Sequence, residues 1–312
     1  MVCAPPTRAV RPVTCRAPNR REDVDDSGLL RHARRGPAVV RLPRVAMTAR
    51  QVAERIGEHI GAPPRGTTVD GFLTGDPDAP VRGVAVTMMA TFDVLRRAAA
   101  QGLDLVVTHE PLYFDHHGTS EATLVAEGDP VHAAKAAFVA EHGIRVLRAH
   151  DAWHDREPDG ILTGVARALG WLDAERAGDP GVYDLPTTTL GELAAHVARS
   201  LGARALRYVG DPEAPVSVVG VQPGFQGFQW NRRLLARSDV DALVLGEGHE
   251  WETGEYAADA VDAGVCAGVV VVGHVPSEQA GMAEYARWLA GVLPEVPVEL
   301  VEAADPFRTV DV

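Results

Sequence analysis

Six residues have the types and spacing that hold divalent metal ions: His109, Glu110, His150, His154, His274 and Glu278. Imidazole nitrogen and carboxylate oxygen form the ligand set for zinc, manganese, iron or nickel, and a carboxylate can bridge two ions. His109 and Glu110 end the apolar run that starts at 104. His150 follows the run at 144–148 and leads a His-x-x-x-His pair ending at His154. His274 follows the run at 269–272 and leads a His-x-x-x-Glu pair ending at Glu278. One strand-end histidine alone would ordinarily cap a carbonyl or line a polar crevice. Two pairs of equal spacing, each beyond an apolar run, point to a metal site. A compact turn after each strand would let the first and fifth residues face one cavity.

The elements that must carry these residues occur twice. Gly75-Asp-Pro-Asp-Ala-Pro-Val81 recurs as Gly210-Asp-Pro-Glu-Ala-Pro-Val216. An amphipathic helix precedes each copy, at 49–61 and 190–202, and a β-rich run follows, at 84–87 and 218–221. Next come a helical stretch with an Arg-Arg pair and an apolar strand ending in a carboxylate, Glu110 or Glu247. A further helix and strand close each copy, and they align His150 with His274 and His154 with Glu278. This predicts an α/β protein of two related halves, 47–175 and 186–312, each with a buried, largely parallel sheet. Ligands of such sheets bind beyond the carboxyl ends of the strands, which puts the metal site there, between the halves. Thr48 is the expected N-cap of the first helix, with Val52, Ile56 and Ile60 on one face.

Composition narrows the function. Hydrophobic residues make up 46% of the 312, enough for a core, and the longest apolar-plus-glycine run, at 264–273, is too short for a membrane span. Cys3, Cys15 and Cys266 are too widely spaced for a disulfide framework or a thiolate metal site, so a reducing cytoplasm is expected. The first 46 residues carry ten arginines against four acids, so a net charge of −13 leaves −19 for the rest. A body that acidic repels phosphate backbones and excludes general nucleic-acid binding, but it suits cations. The aperiodic segment 1–46 lacks a secretory signal; it is expected to be a disordered basic tail, or a reading frame opened upstream of a start at Met47. Lys135 stands alone against 29 arginines, so lysine-based chemistry is not expected. His116 and His117 fall in a polar loop that could serve as a lid. The segment 220–230 reads as a tight aromatic loop that could also stack a ligand ring. Cys266 reads as core, and neither a phosphate-cradling loop nor a nucleophile elbow is present.

Val107-Thr-His109-Glu110-Pro111-Leu-Tyr-Phe114, Gly246-Glu247 and Gly273-His274-Val-Pro-Ser-Glu278 together resemble the NIF-three-like dinuclear metal-centre family. Its members are often labelled GTP cyclohydrolase 1 type 2 homologues. The resemblance spans Met47 to about Phe307. It implies two α/β halves around two divalent transition-metal ions, assembly as a ring-shaped hexamer, and hydrolysis of a small molecule such as a nucleotide or heterocycle. The family pattern has His-His-Pro, then His-x-x-x-Asp, then Gly-His-x-x-(Ser/Thr)-Glu, which carries over His109, His274 and Glu278. Glu110 stands where the second histidine is expected. His154 stands where the aspartate is expected counting from His150, whereas counting back from Asp159-Gly160 places Asp155 there. With His154, the set His109, Glu110, His154, His274 and Glu278 keeps the three imidazoles and two carboxylates of the family, so the exchange preserves the charge offered to the metals. Glu250 or Asp155 is the expected general base. Without an unambiguous base beside the ligands, a non-catalytic, regulatory metal protein is the alternative.

Overall fold

The capping signal at Thr48 does what its residues dictate. The Thr48 hydroxyl accepts from the Gln51 amide and the Gln51 side chain accepts from the Thr48 amide, starting α1 (Ala49–His59) with Ala49, Val52 and Ile56 buried. The computed structural model describes residues 47–310, so the expectation for the basic segment 1–46 lies outside the described residues.

The chain then alternates strand and helix through β1 (Gly71–Thr74), β2 (Val84–Thr87), α2 (Phe92–Ala100), β3 (Leu105–Thr108), α3 (Glu121–Glu127), α4 (Pro130–Glu141), β4 (Arg145–Arg148), α5 (Asp151–Asp155) and α6 (Gly160–Leu169). The second series runs β5 (Val182–Thr189), α7 (Leu190–Leu201), β6 (Arg207–Val209), β7 (Pro215–Gln222), α8 (Phe228–Leu235), β8 (Ala242–Leu245), α9 (Glu255–Asp262), β9 (Gly268–Val271), α10 (His274–Val292) and β10 (Val298–Leu300). The fold is α/β with two five-stranded sheets, ordered β1-β4-β3-β2-β10 and β5-β7-β8-β9-β6.

Each sheet has the expected parallel centre, β2-β3-β4 in one and β7-β8-β9 in the other. Each also carries an antiparallel edge, β1 on β4 and β6 on β9, and the repeated Gly-Asp-Pro segment turns from that edge into the first parallel strand. The fifth strands differ. β5 runs antiparallel to β7, whereas β10 leaves the second series and pairs parallel with β2 of the first sheet. The central strands are buried on both faces, as the period of two requires: Ala242 and Val244 of β8 face the main core while Leu243 and Leu245 face a smaller cluster beside Leu235 and Ala257. No helix among the described residues is long and apolar enough to cross a membrane.

α10 is the element that links the sheets. It packs on β2 and β10, on α6, and on α7, which covers β5 and β7. Its approach to α6 is set by glycine: a Cβ on Gly164 would stand 2.5 Å from the Gly281 Cα. Gly164→Val is therefore expected to cost about 2–3 kcal/mol by overpacking, seen as a lower urea midpoint at unchanged slope. An unchanged midpoint would show that the two helices can part freely.

Candidate metal centre

Each ligand candidate is placed by the end of a parallel strand or the first turn of the helix after it. His109 and Glu110 follow β3. His150 follows β4 and is the N-cap of α5, so His154 lies one turn further along the same face. The Asp70 carboxylate fixes that helix start, accepting from the amides of His150, Asp151 and Ala152 at 2.6–2.9 Å. His274 opens α10 and Glu278 follows one turn later. The His-x-x-x-(His/Glu) pairs thus sit on helical turns rather than in compact loops, because the helical pitch stacks residues four apart.

The side chains converge. Glu278 Oε2 lies 3.7 Å from His109 Nε2 and 3.1 Å from His274 Nε2, and Glu278 Oε1 lies 4.0 Å from His154 Nε2. Glu110 Oε1 lies 3.2 Å from His274 Nε2 and 3.9 Å from His150 Nε2. The His109 and His150 rings stack with centroids 4.4 Å apart. Three overlapping groups could hold a metal ion, each with ligand atoms within 4.8 Å of one another: His109/His150/His154, Glu110/His116/His150 and His109/Glu110/Glu278.

The far side of each imidazole explains its orientation. Nδ1 faces Ala149 O at 3.4 Å in His109, Asp151 at 3.0 Å in His150, Asp159 at 3.0 Å in His154, and Glu247 at 2.8 Å in His274. An oxygen acceptor on Nδ1 holds the proton there and turns Nε2 toward the cluster, the arrangement that positions metal-binding histidines. Two buried atoms inside the cluster, His109 Nε2 and Glu278 Oε2, make no hydrogen bond. An unsatisfied buried acceptor costs about 1–3 kcal/mol, so the pair fits a cation as its missing partner.

Electrostatics agrees with this donor set. Burial, with the neighbouring His150 and His154, pulls His109 well below the usual histidine range, keeping it a neutral ligand. Burial and His154 lower His150 as well. Burial would also lower His154, but the Asp159 hydrogen bond and charge outweigh it and raise the pKa. His274 goes furthest: against burial, Glu110, Glu247 and Glu278 push it up to about 12. Burial would raise Glu110, yet His274, His150 and Arg148 hold it at about 2. Three carboxylates focused on one imidazole create the field that also attracts a divalent ion.

Asp159 is doubly employed. Oδ1 caps α6 by accepting from the Ile161 and Leu162 amides, while Oδ2 holds His154. Asp159→Asn should keep the cap and lower metal affinity about 10–100-fold, measured by competition with a chelator of known strength. Equal affinity would show that His154 needs no outer partner. Gly224 serves Glu278 in a different way: at φ +64° it leaves room where a Cβ would stand 2.8 Å from the Glu278 carboxyl carbon. Its amide donates to Ser277 Oγ, which in turn donates to His274 O.

All six predicted ligands lie in this cluster, and the predicted bases do not. Asp155 is held by Arg65, which also pairs with Asp151. Glu250 pairs with Arg207 on the surface, where its side chain is 77% exposed. Of the loop pair, His116 reaches the rim, its Nδ1 3.9 Å from Glu110 Oε2. Arg148, Asp70 and Asp159 are neighbours of the cluster to which the sequence assigns no role, and Glu247, which the repeat sets at a strand end opposite Glu110, is the partner of His274. Arg148 had one signal, a charged residue inside a strand buried throughout, and its guanidinium now contacts Glu110 at 3.1 Å.

The cluster opens on a cavity of about 1210 Å³, wide enough for a nucleotide-sized molecule. Phe92, Phe114, Phe225 and Trp230 give it aromatic walls, and Arg65, Lys135, Arg233 and Arg237 give it positive ones. Only 223–227 of the segment 220–230 is loop, since β7 and the first turn of α8 take the rest; Phe225 of the loop and Trp230 of α8, both about half exposed, face this space.

Comparison with known proteins adds the family. The chain is 25% identical over 234 residues to the GTP cyclohydrolase 1 type 2 homolog of Clostridium acetobutylicum, covering 72% of this chain and 82% of that one. It is 24% identical over 253 residues to the protein of the same name from Clostridium perfringens, covering 76% and 90%. The fold matches a Staphylococcus aureus hypothetical protein with a TM-score of 0.67 at 16% identity, over 85% of this chain and 100% of that one. It matches a Bacillus cereus protein related to NIF3 with a TM-score of 0.66 at 16% identity, over 85% and 99%. The sequence profile of Duf34/NIF3 (NGG1p interacting factor 3) matches residues 65–306. With that match running through both sheets and every residue of the cluster, the chain belongs to the Duf34/NIF3 family.

Proposed function

We propose that the chain is a metal-dependent hydrolase of a small molecule, a nucleotide or related heterocycle, working with two divalent transition-metal ions. His109, Glu110, His150, His154, His274 and Glu278 would hold them. The observation that carries this reading is convergence: four imidazoles with Nδ1 tied to oxygen turn Nε2 toward two buried carboxylates at the wall of one large cavity. Bound ions of this kind supply Lewis acidity and a nucleophile at neutral pH. The chain's own groups bind and orient. Phe225 and Trp230 offer stacking faces, and Arg233 lies over the Trp230 ring at 4.7 Å. Glu247 holds the proton at His274 Nδ1, and Arg148 holds Glu110 ionised. The relatives' name, GTP cyclohydrolase 1 type 2 homolog, supports the nucleotide class, while a shared fold does not fix a substrate. The resemblance also implies a ring-shaped hexamer, and the wide spacing of the three cysteines suits a reducing cytoplasm.

A non-catalytic, regulatory metal protein is the second reading. It is favoured by one observation: Asp155 and Glu250, the two candidate bases, are both engaged by arginines. Metal analysis of protein purified without chelator, followed by turnover assays on nucleotides, phosphoesters and cyclic amides, separates the two. Two ions per chain and metal-dependent turnover are expected. Tight metal retention with no turnover in any class would overturn the hydrolase.

A further inference from the structure

The cavity contains a cation that the metal cluster does not explain. Lys135 is the sole lysine of the chain, sits on α4, is 4% exposed and lines the cavity together with Glu110. Its ammonium donates to Leu112 O at 2.7 Å and lies 5.2 Å from the centre of the Phe114 ring. No carboxylate among the described residues partners it, and burial pulls its pKa down to about 8. A buried ammonium without an acid is costly, and one carbonyl satisfies only one of its three donors.

The neighbouring loop is strained on the same side. Phe114 adopts φ 63°, left-handed backbone that a bulky residue rarely takes, yet its side chain is 66% exposed, so core packing does not account for the strain. An exposed aromatic ring is thus held beside a buried ammonium at the cavity wall.

We propose that Lys135 and Phe114 form a subsite that takes the phosphoryl group of a small-molecule ligand, with Nζ donating to a phosphoryl oxygen and the Phe114 ring covering an adjoining planar group. The inference rests on the small-molecule reading of the cavity, and it does not require the ligand to be hydrolysed. Histidines apart, every other basic residue of the chain is arginine, and a compact ammonium is the alternative that fits a single phosphoryl oxygen in a confined site.

Phenylphosphonate, which has a ring and a phosphoryl group but no hydrolysable ester, is the probe. Calorimetric titration of the full chain should give saturable binding that survives metal removal by chelator and dialysis. Lys135→Met should weaken it about tenfold or more, Lys135→Arg should weaken it less, and Phe114→Ala should weaken it without changing metals per chain. Acetylation of the sole lysine, followed by mass spectrometry, reads the same site without a variant, and phenylphosphonate should slow it. Absence of saturable binding, binding lost with the metals but indifferent to Lys135→Met, or unprotected acetylation would each overturn the subsite. A drop in metal content in Lys135→Met would also overturn it, by showing that the ammonium serves only to pin Leu112. Failure of the hydrolase reading looks different: no turnover on any substrate, with phosphonate binding through Lys135 intact.

Discussion

Glu278→Ala is expected to abolish metal retention while leaving the fold in place. Glu278 is the more deeply buried of the two cluster carboxylates, with His109, His154 and His274 all within 4.0 Å of its two oxygens. It is 2% exposed and one oxygen makes no hydrogen bond, so its charge is buried for a purpose that packing does not supply. Loss of an outer partner of a metal-binding histidine costs about 10–100-fold in affinity, and loss of this shared inner group should exceed the upper figure. The fold should tolerate the change, because α10 is anchored further along by Met282, Tyr285 and Leu289, all fully buried. Metals per chain after dialysis, with circular dichroism as the control for folding, provide the measurement. A full metal complement in Glu278→Ala would show that the cluster does not hold ions in the way argued above.

The second large effect concerns the two departures from the family pattern. Glu110→Ala and His154→Ala should each cost at least one metal equivalent. The double change Glu110→His with His154→Asp should recover both, because divalent ions require a number of donors and a balance of charge more than a particular order of supply. Geometry supports the pairing: Glu110 Oε1 lies 3.9 Å from His150 Nε2, and the His154 ring centre lies 5.1 Å from that of His109 and 5.0 Å from that of His150. Asp155→Ala is the control. Its carboxylate is tied to Arg65, so the variant should retain its metal. If Asp155→Ala loses metal while His154→Ala keeps it, the exchange is wrong.

Much of this site was legible in the sequence because strand ends are legible. Short apolar runs such as 105–108 and 269–272 announce buried parallel strands, and the polar residues just beyond them have one place to go. What escaped was whatever depends on residues distant in the chain. Nothing local in Asp70 says that it caps α5, and nothing in Glu247 says that it will hold His274. Adjacency misled in the opposite direction. Asp155 stands next to His154 in sequence and Glu250 follows a strand end, but each side chain turns to an arginine instead. Lys135 was discounted because lysine is scarce, although its scarcity is what makes its buried position informative. In the fold, β10 offers three residues of ordinary β pattern with no local mark of the sheet it joins.

That last strand bears on how the protein comes to exist. β10 follows β2 by more than two hundred residues, so one side of β2 stays unpaired until the second series has been made. A contact spanning so much of the sequence closes slowly, and until it closes the exposed edge invites pairing with another nascent chain. α10 belongs to the same later stretch and brings His274 and Glu278, so the candidate metal cluster cannot assemble before the second series is made. An ion held by all six residues would therefore be captured late in folding, after the two series have come together.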